Sequence, residues 1–153
     1  MHQHEAQNLT KQAILATRHC LTGCAIGEIL GMVVAAATGL AAMPSVILSI
    51  GLAFLFGYGL TLTPILRTGM GLRRAIGLTL AADTASIATM EISDNAFILA
   101  VPGAIDATLT SPLFWVSLIL SLAVAFVITV PVNRYLIGRG LGHAKVHALH
   151  EHH

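Results

Sequence analysis

Charge is what this 153-residue chain has least of. Asp, Glu, Lys and Arg together make up 10% of it, against 56% hydrophobic residues and a mean hydropathy of +0.81. Soluble domains carry about 25% charged residues, so that class is excluded. Aromatic residues are scarce at 5%, with a single Trp, which leaves little for an aromatic belt at a membrane surface. Two Cys cannot build a disulfide framework. A net charge of +1 with no basic run gives nothing to follow a phosphate backbone, so no nucleic acid partner is expected. Phosphate-cradling loops, nucleophile elbows and paired-Cys zinc knuckles are missing too, and no enzymatic activity is expected.

What the chain does have is length of apolar sequence. Leu21 to Met43, Val46 to Leu66, Ala75 to Val101 and Leu113 to Ile137 each cover a hydrocarbon core of about 30 Å at 1.5 Å per helical residue. Only helices satisfy their own backbone in lipid, so the expected fold is an all-α membrane protein, a four-transmembrane-helix bundle. Pro44-Ser45 reads as the first hairpin, Arg67 to Gly71 as a basic Gly-broken loop, and Pro102 to Pro112 as a longer loop carrying Asp106. Residues 1–18 read as a polar His-containing N-terminal tail, 19–138 as the transmembrane domain and 139–153 as a His-rich C-terminal tail. The last His residues suit either a native metal-handling tail or part of an affinity tag.

The placement of charge gives the orientation. Lys11 and Arg18 precede the first segment, Arg67, Arg73 and Arg74 separate the second from the third, and Arg134, Arg139 and Lys145 follow or close the fourth. By the positive-inside rule both termini are cytoplasmic, and the protein is expected to be multi-pass and integral to a cytoplasmic membrane. Small residues recur at helical spacing: Gly23, Gly27 and Gly31; Ala82, Ser86, Thr89 and Ser93; Ser117, Ser121, Ala125 and Thr129. Such stripes are helix-packing faces first, and they also suit a homo-oligomer.

The acids run the other way. Glu28, Asp83, Glu91 and Asp94 lie inside the apolar segments, with no basic residue expected at their depth. A mid-bilayer charge costs about 2.5–3.5 kcal/mol on insertion scales, so four call for a cation, a proton or water. Cys20, Cys24 and Glu28 share a helix face, preceded by His19 and continued by Met32. On the third segment Asp83, Met90 and Asp94 share a face beside Glu91 and Asn95, and Asp106 continues outward. Counted from the ends of their segments, Glu28 and Asp83 lie at equal depth and are expected to face each other.

Thiolate and thioether select Cu(I), so the expected metal ligands are His19, Cys20, Cys24, Glu28 and Met90, with Asp83, Glu91, Asp94, Asn95 and Asp106 along an ion pathway. The leading expectation is Cu(I) binding or transport. The alternatives are a channel or carrier for a harder cation or protons on the four acids, a membrane thiol oxidoreductase, and a structural subunit. A disulfide between thiols one helical turn apart would need backbone strain.

The strings His19-Cys20, Gly23-Cys24, Gly27-Glu28, Ala82-Asp83-Thr84, Met90-Glu91 and Asp94-Asn95 occur here together with Pro102-Gly103-Ala104, Asp106-Ala107, Pro131-Val132-Asn133-Arg134, Arg139-Gly140 and Gly142-His143-Ala144. In this combination the chain resembles the bacterial family catalogued as domain of unknown function 4396, from about His19 to about His147. The resemblance implies a four-helix membrane protein with copper-related associations and no settled mechanism. Tyr135 departs from it where some relatives carry Trp.

Overall fold

The computed structural model describes residues 2–140, and side chains from Ala6 onward. The expected His143, His147, His150, His152 and His153 tail lies outside the described residues. Among the described residues four helices follow one another: α1 (His2–Thr38), α2 (Ala42–Arg67), α3 (Leu72–Ala100) and α4 (Pro112–Gly138). All four are long and apolar enough to cross a membrane. The chain is therefore an all-helical, four-span bundle, as its hydropathy implies.

Neighbouring helices run antiparallel. Gly23 meets Gly57, Gly27 meets Ala53 and Gly31 meets Ser49 across the α1–α2 contact. Thr17 pairs with Asn133 across α1–α4, and Tyr58 with Thr84 across α2–α3. Every Lys and Arg among the described residues consequently gathers toward one end, here the basic end. The α1–α2 turn and the loop 101–111 form the far end.

Two boundaries differ from the reading of the sequence. The first turn lies at Gly39–Ala41, and Pro44 sits inside the first turn of α2. Proline loses nothing there, because the first helical N–H groups have no intrahelical partner anyway. Gly39 takes the break instead: its φ of +70° suits a glycine helix terminus, and Leu40 N–H donates to Ala35 O at 3.1 Å. Second, α1 is helical from His2, continuous with the polar N-terminal segment. Its apolar portion Ala6–Thr38 has 33 residues, about 50 Å at helical rise, so α1 projects past a 30 Å core at the basic end. There Ala13 and Ala16 pack on Ile137 of α4.

The glycine stripe sets the closest helix contact. A Cβ on Gly23 would come 2.7 Å from Gly57 Cα, one on Gly27 2.5 Å from Ala53 Cα, and one on Gly31 2.8 Å from Ser49 Cα. These are backbone atoms that cannot step aside. Close backbone approach gains dispersion where lipid supplies no hydrophobic drive. Gly51, by contrast, has open space around its missing Cβ. Gly27→Val should therefore lower the thermal unfolding midpoint in detergent, with a cost of about 1–3 kcal/mol. Gly51→Val on the open face of the neighbouring helix should leave the midpoint nearly unchanged. Equal behaviour of the two variants would contradict this packing.

Candidate functional site

Adjacent positions on a helix point about 100° apart. With Gly23, Gly27 and Gly31 docked on α2, the stripe Cys20–Cys24–Glu28, one position round, turns toward α3. Cys20 Sγ shares a 2.9 Å hydrogen bond with Ser86 Oγ, across a sequence separation of 66. Glu28 meets Asp94 at the same separation, within side-chain hydrogen-bonding range, with Glu91 close by. Cys24 lies between, beside Glu91. The two helices are therefore parallel and in one register along the whole column. The buried face of α3 carries Asp83, Ser86, Met90, Glu91 and Asp94 together.

This register corrects the expected Glu28–Asp83 pair. Asp83 sits nearer the basic end, close to Cys20, facing Thr61 and within electrostatic range of His19. Counting failed because α3 begins at Leu72 and α1 far before Leu21, so equal distances from the apolar edges are unequal depths. The same shift corrects the expectation that no basic residue shares the acids' depth. Arg18 follows Thr17 at about the level of Asp83, and Arg134 follows Asn133, but both point outward and are exposed.

From the basic end outward, the column starts at His19 and Asp83. It continues through Cys20 and then Cys24, Met90 and Glu91, and reaches Glu28, Asp94 and Asn95. Cys20, Cys24 and Met90 are each 1% exposed or less and share one buried cluster with Ala53, Ile87 and Ala125. Both thiols are free. Thus the sulfur atoms expected as soft ligands come together, while the expected His19 and Glu28 are drawn to the two ends of the column. Among the described residues no three His, Cys, Asp or Glu side chains stand close enough to hold a metal ion. Any sulfur site must rest on Cys20, Cys24 and the Met90 thioether.

Beyond the sulfurs, Glu28, Glu91 and Asp94 line a cavity of about 70 Å³ with Asn95, Ser49 and Ser117. Met32 also borders it. Glu28 Oε1, Glu91 Oε1 and Asp94 Oδ1 are buried without a hydrogen-bond partner. Asn95 Nδ2 donates to Glu91 O at 2.8 Å and more weakly to Glu91 Oε2 at 3.4 Å. The Ser117 hydroxyl donates to Leu113 O within its own helix. No hydroxyl ties off Glu28 Oε1, Glu91 Oε1 or Asp94 Oδ1 among the described residues. Asp106 is exposed on the loop, along the wall of a neighbouring cavity of about 310 Å³.

Several contributors escaped the reading of the sequence. Ser86 was visible only as part of a small-residue stripe. Thr17 and Asn133 form a buried link, Asn133 Nδ2 donating to Thr17 Oγ1 at 2.9 Å, and Thr17 donating on to Ala13 O at 2.8 Å. A lone Thr and a lone Asn 116 residues apart carry no local signal.

The match to a family model covers residues 10–142. The chain belongs to the family described as domain of unknown function 4396 (DUF4396). Comparison with curated proteins and with solved structures gives no match. The family match agrees with the resemblance carried by the motifs, and several of those motifs supply residues of the column: His19-Cys20, Gly23-Cys24, Gly27-Glu28, Ala82-Asp83-Thr84, Met90-Glu91 and Asp94-Asn95.

Buried carboxyls with orphaned oxygens and like-charged neighbours cost stability. Replacing one by its amide removes an ionisable group and adds a donor for the remaining acids. Glu28→Gln and Asp94→Asn should each raise the unfolding midpoint in detergent at neutral pH, by about 1–2 kcal/mol. A lowered midpoint in both would show that these carboxyls are structural anchors.

Proposed function

We propose that this protein is a multi-pass protein of the bacterial cytoplasmic membrane, both termini inside, that binds Cu(I) within the bilayer and passes it along the α1–α3 column. The observation that carries the reading is the parallel α1–α3 register, which sets two thiols and a thioether between carboxyl groups at either end. The orientation rests on charge: with the basic end cytoplasmic, every Lys and Arg obeys the positive-inside rule. The carboxyl cavity then faces the outer half of the membrane.

The chemistry follows from ligand softness. Cys20, Cys24 and Met90 favour Cu(I) over hard ions, which prefer oxygen. The reducing side of the membrane keeps thiols available rather than paired. Cu(I) binding displaces the thiol protons, because the thiolate is the ligand. Negative charge at Glu28, Glu91 and Asp94 attracts a cation toward the sulfurs, and Asp83 beside His19 offers the next carboxylate toward the cytoplasm. The exposed apolar faces of the helices, Ile47, Leu55, Ile92 and Val127 among them, are suited to lipid. They also leave room for a second copy of the chain.

Competition with a Cu(I) chelator in detergent tests the sulfur site. Cys24→Ser, Cys20→Ser and Met90→Leu should each weaken binding by roughly tenfold or more, since each replaces a soft donor in a set of three. Unchanged stoichiometry and affinity in the Cys20→Ser, Cys24→Ser double variant would refute the proposal.

A further inference from the structure

The carboxyl cavity next to the sulfurs has properties of its own. Glu28 is 8% exposed, Glu91 4% and Asp94 3%, so all three are more than nine-tenths buried. Each presents an unpartnered oxygen and lines the same space of about 70 Å³. That volume exceeds what a single water needs, and it suits an ion with one or two waters of its shell. The Asn95 amide nitrogen is already spent on Glu91, which leaves its carbonyl oxygen as an acceptor. Apart from the Met32 thioether on its border, the donors are oxygen and hard. Among the described residues no Lys or Arg lines the cavity. The carboxyls do not close to direct three-point coordination. A cation that keeps part of its water shell, as Mg²⁺ and Mn²⁺ do, matches that combination of charge, room and spacing.

The cavity also adjoins a larger one. Met32, Val46, Ile105 and Ala107 border both it and the 310 Å³ cavity at the far end, where Asp106 lies. From these observations we infer that Glu28, Glu91 and Asp94 form a second cation site, separate from the sulfurs, which holds a partly hydrated divalent cation. This rests on the reading of the column as a cation path, and it adds a hard-ion station at the far-end side of the soft one.

The test uses Mn²⁺ as the probe, on the full chain carrying Cys20→Ser and Cys24→Ser so that the thiols play no part. Electron paramagnetic resonance of free Mn²⁺ counts bound ions, and water-proton relaxation reports whether the bound ion keeps exchangeable water. One saturable Mn²⁺ per chain is expected, with enhanced relaxation. Adding Glu28→Gln and Asp94→Asn should lower the affinity at least roughly tenfold, because charge count sets affinity in oxygen sites. The His-rich tail is present in every variant and cancels in the comparison. Ile105→Trp, which fills the cavity from the loop and leaves all carboxyls in place, should also abolish saturable binding. It guards against loss of fold in the charge variants. Absence of saturable Mn²⁺ binding, or equal affinity in all three proteins, overturns the inference. Cu(I) binding by the wild-type chain is read separately. Mn²⁺ binding without Cu(I) binding upholds this site and overturns the sulfur one, and the converse does the opposite.

Discussion

The docking of α1 on α2 through Gly23, Gly27 and Gly31 is the constraint on which the rest depends. Three missing side chains bring two backbones into contact, and that contact fixes the rotation of α1 about its own axis. Cys20, Cys24 and Glu28 sit one position further round, so they turn away from lipid and toward α3. Gly57, on the other side of the contact, closes against Ile87 of α3, where a Cβ would come 2.6 Å from Ile87 Cδ1. Packing of apolar groups thereby positions polar ones. In lipid this order of causes is expected, because small residues and dispersion drive helix association and polar groups follow where they are satisfied or needed.

The rotation of α1 was legible in the sequence, and its depth was not. Glycines every four residues, next to cysteines and an acid at the same spacing, specify two adjacent stripes whatever the helix packs on. Depth had to be inferred from where apolar runs begin, and α1 has no sharp beginning. Ala13, Ala16 and Thr17 continue its buried face well outside the apolar segment that starts at Leu21, packed against Ile137 and Asn133. That slide brings Asp83 opposite the Thr17–Cys20 region and Glu28 opposite Asp94. Hydropathy records which residues tolerate lipid; axial register is set by contacts between residues far apart in sequence, such as Cys20 with Ser86. The four spans themselves were plain because their length and composition admit no other structure in a membrane.

The site was legible in its members and less so in its grouping. Cys20, Cys24 and Met90 converge, as softness and helical spacing suggest. His19 and Glu28, which look like parts of the same cluster in the sequence, separate toward opposite ends of it. The reason is that a helix face is a line, not a point: Cys20 and Glu28, eight apart on it, stand about 12 Å apart, and His19 lies one residue further still. A single ion cannot be shared across that distance. The column is therefore a succession of environments, first oxygen, then sulfur, then oxygen again with an imidazole.

Such a succession bears on how the acids are tolerated. If Glu28, Glu91 and Asp94 served only to hold helices together, their oxygens would be expected to end on hydroxyls or amides, as Thr17 and Asn133 do at the basic end. Donors are at hand: Ser117 and Ser121 lie buried on α4, yet both turn back to their own helix backbone, at Leu113 and Leu118. The hydroxyls thus spend their hydrogens on carbonyls already within a helix, while acids in the same interior keep unpartnered oxygens. An arrangement that leaves an oxygen of each buried carboxyl without a protein donor is unfavourable for stability alone. It becomes intelligible when the missing partner is positive and exchangeable, since a cation or a proton balances the charge and can leave again, whereas a hydrogen bond from a neighbouring helix would hold the carboxylate in place.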